Sequence, residues 1–290
     1  MVLCATGENM RKVAIILLVA ALTGAGLLFY LIETRGLKTQ FDAAVARAQN
    51  DTVPVEGVVT AADIRHLPPL VQKYLTVTGA VGRSKIRNFR VVWDGALRSD
   101  AHALWMSAVM RQENFFQDYS RDFYLTAFMK GLPVSVWHSY QKQRATMQVK
   151  IASLFPIVDI KGEELTTAET VTLFNDMCLL APAALIDKRI SWRTVDTQQV
   201  EATFTNGKYS IKALLKFRES GELADFISDD RYYLTADNKL RRERWSTPVG
   251  EYREFAGRRV VSRGEAVWHL KEGAFTYGKF VLKNIEYNVR

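Results

Sequence analysis

The longest uncharged apolar run extends from Val13 to Ile32. At about 1.5 Å per helical residue its twenty residues reach about 30 Å, the depth of a bilayer's hydrocarbon core, so the run predicts a membrane-spanning helix. A cleaved signal peptide competes with this reading. Such a peptide has a shorter apolar core followed by a small-x-small cleavage site, whereas here Leu27 to Ile32 carry the apolar run on past Gly26. An uncleaved anchor is the expectation. Leu37, Phe41, Val45 and Ala48 then recur near helical spacing, and Asp51 to Gly57 reads as a linker. The division that follows is a tail at 1–12, an anchor at 13–32, a juxtamembrane helix and linker at 33–56, and a domain at 57–290.

Leu67 to Leu75 predicts a short helix with Pro69 in its first turn. From Ser84 the period changes to two. Tyr209, Ile211, Ala213, Leu215 and Phe217 alternate with Lys208, Ser210, Lys212, Lys216 and Arg218, the pattern of a strand with one wet face. Strands are expected at 86–97, 103–113, 121–130, 133–142 and 145–154. Further strands run from 190–196 through 198–205, 208–218, 222–230, 232–235, 240–246, 251–255 and 259–270 to 275–289. Asn206-Gly207 supplies a hairpin turn. Leu104, Met106, Ala108 and Met110 face one way and Trp105 and Val109 the other, so that strand needs cover on both sides.

One segment inside this β-rich sequence is strongly helical, Leu165 to Ala181. Thr166 followed by Glu169 matches a capping box, and Pro182 ends the run. Val171, Phe174, Met177 and Cys178 fill an apolar half, while Thr172, Asn175 and Asp176 lie opposite with Leu179 among them. The expected fold is mainly β: an antiparallel curved sheet or half-barrel with this helix on its concave face, preceded by the transmembrane helix.

The net charge is +8, carried by the domain, because residues 1–56 hold as many acids as bases. For a tethered domain this points to an anionic membrane surface rather than nucleic acid. Arg11 and Lys12 favour an inside N-terminus, opposed weakly by Arg35 and Lys38, which places the domain outside the cytoplasm at the inner membrane. Cys4 and Cys178 flank the apolar run from opposite sides, so no disulfide is expected, and no metal or cofactor site is apparent. Nucleophile-elbow, P-loop, dinucleotide and zinc-protease signatures are absent. His138 alternates with Val134, Val136 and Tyr140 and is expected to point inward. Asp159 in Phe155–Ile160 and Asp176 on the helix are the candidate acids, with a surface loop as the alternative for Asp159. Met106, Met110 and Met177, interleaved with aromatics, suit a wall that adapts to an apolar guest.

Several runs in order resemble an uncharacterised bacterial domain-of-unknown-function family. They are Leu67-Pro68-Pro69 with Tyr74-Leu75, Phe155-Pro156-Ile157-Val158-Asp159, Asp176-Met177-Cys178 with Ala181-Pro182, Trp192 with Asp196, and Gly264-Glu265-Ala266-Val267-Trp268-His269 leading to Ile285-Glu286-Tyr287-Asn288. Members of the family often carry Glu where this chain has Asp176. At fold level the family is similar to LolA-like lipoprotein-carrier half-barrels. The combined expectation is a membrane-anchored envelope protein that binds or transfers a lipid-like ligand. Its ligand residues are expected to be Met106, Met110, His138, Asp159, Asn175, Asp176 and Met177. A hydrolase using Asp159 or Asp176 with His138, or a protein-interaction module, remains the alternative.

Overall fold

In a computed structural model the apolar N-terminal run forms helix α1 (Leu3–Arg35). The structure describes residues 3–235 and 239–290, with the side chains of α1 described from Asn9 to Leu27. Cys4, Arg35 and the Leu28–Ile32 end of the expected anchor therefore lie outside the described side chains. Asn9–Leu27 is long and apolar enough to cross a membrane and is nowhere covered by the rest of the chain. Helix α2 (Leu37–Asp51) follows, and α3 (Pro69–Val77) begins, as expected, with proline in its first turn.

The two-residue period from Asn88 onward becomes one antiparallel sheet. Its first part is β1 (Asn88–Leu97), β2 (Met106–Phe115), β3 (Ser120–Met129), β4 (Leu132–Gln141), β5 (Arg144–Ile151) and β6 (Phe155–Lys161). After helix α4 (Glu163–Leu180) and a 3-10 turn (Pro182–Ile186) come β7 (Ile190–Thr194), β8 (Gln199–Asn206), β9 (Tyr209–Phe217) and β10 (Leu223–Leu234). The chain ends with β11 (Leu240–Ser246), β12 (Val249–Phe255), β13 (Arg258–Leu270) and β14 (Gly273–Tyr287). Their spatial order is β6-β5-β4-β3-β2-β1-β14-β13-β11-β10-β9-β8-β7, with β12 paired to β13. The edges are β6 and β7, and α4 is the connection between them. A curled half-barrel results, with α4 laid along its interior.

Two expectations are corrected here. Phe155–Lys161 is a strand and not a loop; Pro156 is tolerated because β6 is an edge, where a missing N–H costs no ladder bond. Helix α4 starts three residues before Thr166, behind Gly162 at φ 133°, a conformation suited to glycine. Thr166 is inside the helix, where its hydroxyl donates to Gly162 O at 2.7 Å and accepts from Ala145 N at 3.1 Å. Glu169 is equally interior, so the capping box does not form.

Helix α4 is covered on nearly every side. Phe174 stacks on Phe204 with ring centroids 5.3 Å apart and meets Phe226 edge-on, while Met177 and Cys178 are fully buried on the same side. Carbonyls in the last turn of a helix lack helical donors. Here Tyr74 Oη donates to Cys178 O at 2.6 Å and Tyr287 Oη to Leu180 O at 2.7 Å, so the buried helix end is satisfied.

Asp225 on β10 is a half-buried acid whose partners do not offset its desolvation. Its Oδ1 is buried without a hydrogen-bond partner, and burial pushes the carboxyl up to about 6, against Lys216. An acid raised in the folded state adds stability only below its ordinary value of 3.8, and loses that contribution as the pH rises through about 6. Asp225→Asn is therefore expected to stabilise the chain by about 1 kcal/mol at pH 7, a value discounted for partial exposure, and to change nothing at pH 4. Urea unfolding at the two pH values checks this.

Candidate functional site

Strand alternation decides which side chains enter the interior. On β2 the even positions Met106, Ala108, Met110, Gln112 and Asn114 face inward; on β3 the odd positions Arg121, Phe123 and Leu125 do so; on β4 Val136 and His138 follow. Between this wall and α4 lies a cavity of about 530 Å³, within the range of small-molecule sites. Helix α4 contributes Leu165, Ala168, Glu169, Thr172, Asn175, Asp176 and Leu179, the i, i+3, i+4 stripe of one face. At one end the lining is mainly apolar, with Leu97, Met106, Leu234 and Leu240 beside the strand ends and Arg98 and Ser99 among them. From Met106 to Gln112 is six strand residues, or about 20 Å, and there the lining becomes ionic.

The ionic part is a buried network. Arg121 Nε donates to Asp176 Oδ2 at 2.6 Å, and its Nη1 donates to Glu169 Oε2 at 3.2 Å. Gln112 and Asn114 also donate to Asp176 Oδ2, at 2.8 and 3.1 Å, the pattern of an acid held as an acceptor. His138 Nδ1 lies 3.4 Å from Glu169 Oε1, and Arg231 Nη2 lies 3.7 Å from the same oxygen. Arg231 also donates to Thr172 Oγ1, and its guanidinium lies 4.4 Å from the Trp245 ring centroid. Its Nε is buried without a partner.

Burial alone would raise Glu169, but His138, Arg121 and Arg231 outweigh it and hold the carboxyl down at about 2. Burial pushes Asp176 above the ordinary carboxylate range, against Arg121 and Asn114. Arg121 itself is raised: burial works against its charge, and Asp176 with Glu169 overcome that. Because Glu169 is lower in the folded chain than its ordinary 4.5, its contribution to stability is complete above pH 4.5 and is lost as the pH falls through about 2. Over that window the parent chain is expected to lose on the order of 3 kcal/mol that Glu169→Gln, lacking the carboxylate, does not lose. Denaturant titrations at successive acidic pH values measure the difference.

Of the residues expected from sequence, Met106, His138, Asn175 and Asp176 line the cavity. Three do not. Met110 is drawn sideways over β1, where its Cε fills the space that a side chain at Gly95 would need. Met177 lies on the opposite side of α4 from the lining stripe, fully buried. Asp159 pairs with Gln148 across the β5–β6 ladder and is exposed, its side chain 3.4 Å from Gln148 Nε2, while its neighbour Ile160 takes the inward position. Asp159 and His138 therefore do not meet, and that acid–base pair is not assembled.

A family model described as a family of unknown function, DUF6544, matches residues 57–280. The chain belongs to this family. No curated protein matches it. Among solved structures it is similar to a DUF1329 family protein from Desulfovibrio piger, at 13% identity and a TM-score of 0.42 over 80% of this chain and 95% of that one. It is also similar to a LolA superfamily protein from Nitrosomonas europaea, at 10% identity and a TM-score of 0.40 over 80% and 96%. A putative outer membrane lipoprotein-sorting protein domain from Vibrio parahaemolyticus gives 7% identity and a TM-score of 0.38 over 70% and 86%. As the motif order implied, the chain is a member of a family of unknown function, and its domain is a mainly β, antiparallel half-barrel.

Sequence reasoning missed Arg121, Glu169 and Arg231 in this DUF6544 domain. Arg121 carried a signal: it shares its parity with Phe123, Leu125 and Ala127, an apolar face that forces a charge inward. Arg231 carried none, because a bulge between Ser228 and Arg231 resets the alternation of β10.

Proposed function

We propose that the chain is a membrane-tethered envelope protein whose half-barrel binds a lipid-like molecule, tail toward the open end and polar end toward the ionic network. The observation that carries this reading is the mainly apolar cavity of about 530 Å³ closed at one side by Arg121, Glu169, Asp176 and Arg231. Burying an aliphatic tail gains roughly 25 cal/mol per Å² of apolar surface, which supplies the affinity. Arg231 Nε, with no acceptor of its own, and the cavity-lining His138 and Asn175 give the polar end its orientation. Met106 lends the wall compliance. The apolar α1 serves as the tether, with the domain on the extracytoplasmic side.

Titration of the purified chain with a fluorescent fatty acid tests the reading. Saturable uptake, displaced by unlabelled lipid, is expected; fluorescence that rises without saturation, as in nonspecific partitioning, contradicts it. A C-terminal alkaline phosphatase fusion is expected to be active, and an inactive fusion reverses the topology.

A further inference from the structure

Outside α1, Val53, Val55, Val58 and Val195, every exposed large apolar side chain among the described residues sits on strands β2 to β6 or the loop leading into β2. Leu104 is 89% exposed, Phe128 68%, Phe155 66% and Leu132 52%, with Trp105 and Ile157 beside them. These residues lie where β1 passes to β2, β3 to β4 and β5 to β6, which are all turns at the same end of the antiparallel sheet. That end is the mouth of the cavity, since Leu97, Arg98, Ser99 and Met106 line the cavity there. Soluble surfaces rarely gather so many large apolar groups in one place without a partner.

Helix α2 indicates what that partner is. Its C-terminal side is fixed at the far end of the barrel, where Val53 N donates to Gln117 Oε1 at 2.9 Å beside the β2–β3 turn. Further back, Asp42 pairs with Arg111 at 3.2 Å in the middle of β2, and Phe41 packs on Tyr124 with ring centroids 5.6 Å apart. Helix α2 therefore runs alongside β2 with its N-terminal end directed toward the mouth. Gly36, where α1 joins, is a further six residues, about 9 Å, in that direction. The apolar helix thus enters the domain on the side that carries the apolar rim. Lys130 and Lys271 are exposed in turns at the same end, and basic groups beside apolar ones suit an anionic bilayer surface.

We propose that the rim formed by Leu104, Trp105, Phe128, Leu132, Phe155 and Ile157 docks into the interface of the bilayer that holds α1, so that the cavity mouth opens directly onto lipid. This rests on α1 acting as an anchor. The ligand exchanges between membrane and cavity without crossing water, and the tether sets the orientation of the mouth as well as its location.

The full chain, in a Cys4→Ser background with Cys178 buried, is reconstituted in vesicles of phosphatidylethanolamine and phosphatidylglycerol, with Phe128→Cys or Asp118→Cys carrying an environment-sensitive dye. Asp118 lies in the β2–β3 turn at the far end. Dye at 128 is expected to be blue-shifted and quenched several-fold more by nitroxide-bearing lipid than dye at 118. Equal quenching at both positions, with the protein still floating with the vesicles, overturns the docked rim alone. Loss of flotation overturns the anchor and the rim together. A blue shift at 128 that lipid nitroxide does not quench, with 128–128 crosslinking between chains, also overturns it, because a second copy then covers the rim.

Discussion

Arg121→Ala is expected to destabilise the folded chain by about 3–5 kcal/mol, among the largest single-residue effects in the molecule. Arg121 is buried and is the cation shared by Asp176 at 2.6 Å and Glu169 at 3.2 Å. Its removal strands two carboxylates in the interior, and among the described residues only Glu169 has other cations in reach, Arg231 and His138 when protonated. Desolvated charges left unpaired cost far more than the net value of the intact pair. A double change that removes charge from both sides, Arg121→Met with Asp176→Leu, is expected to recover most of the loss. Urea unfolding of the three chains measures this, and a single-variant loss below about 1 kcal/mol would mean that the network is hydrated and not buried.

The second large effect concerns the hollow itself. Val136 on β4 and Leu179 on α4 both line it. Val136→Trp with Leu179→Trp adds two indoles to the lining and takes up part of the space. Binding of a fluorescent fatty acid is expected to weaken at least about tenfold, a loss of about 1.4 kcal/mol, with the unfolding midpoint preserved. Unchanged binding by a folded double variant would place the ligand elsewhere.

Fold and site differ in how far the sequence discloses them. Regular alternation such as Tyr209 to Phe217 has one physical solution, a strand with one wet face, and the structure has that strand. The anchor-like run and the helix before Pro182 are equally direct. Phe155–Lys161 was obscured because Pro156 and exposed Phe155 and Ile157 look like loop chemistry, and only the place of β6 at a sheet edge makes them compatible with a strand. Thr166 and Glu169 show the opposite failure. The same three-residue spacing that makes a capping box also places side chains on one helix face, and local sequence does not distinguish them. His138 and Asp176 were legible from parity and wheel position, and Arg121 from its parity with Phe123 and Leu125, whereas which of them meet, and the entry of Arg231, required knowing which strands curl toward α4.

The most direct measurement of the central claim is organic extraction and mass spectrometry of the full chain purified from its own membranes. A lipid-like compound is expected at about one per chain, and it is expected to be missing from the Val136→Trp, Leu179→Trp variant. A folded parent chain that yields no apolar compound and takes up no fluorescent fatty acid would contradict the proposal that the half-barrel is a lipid-binding site.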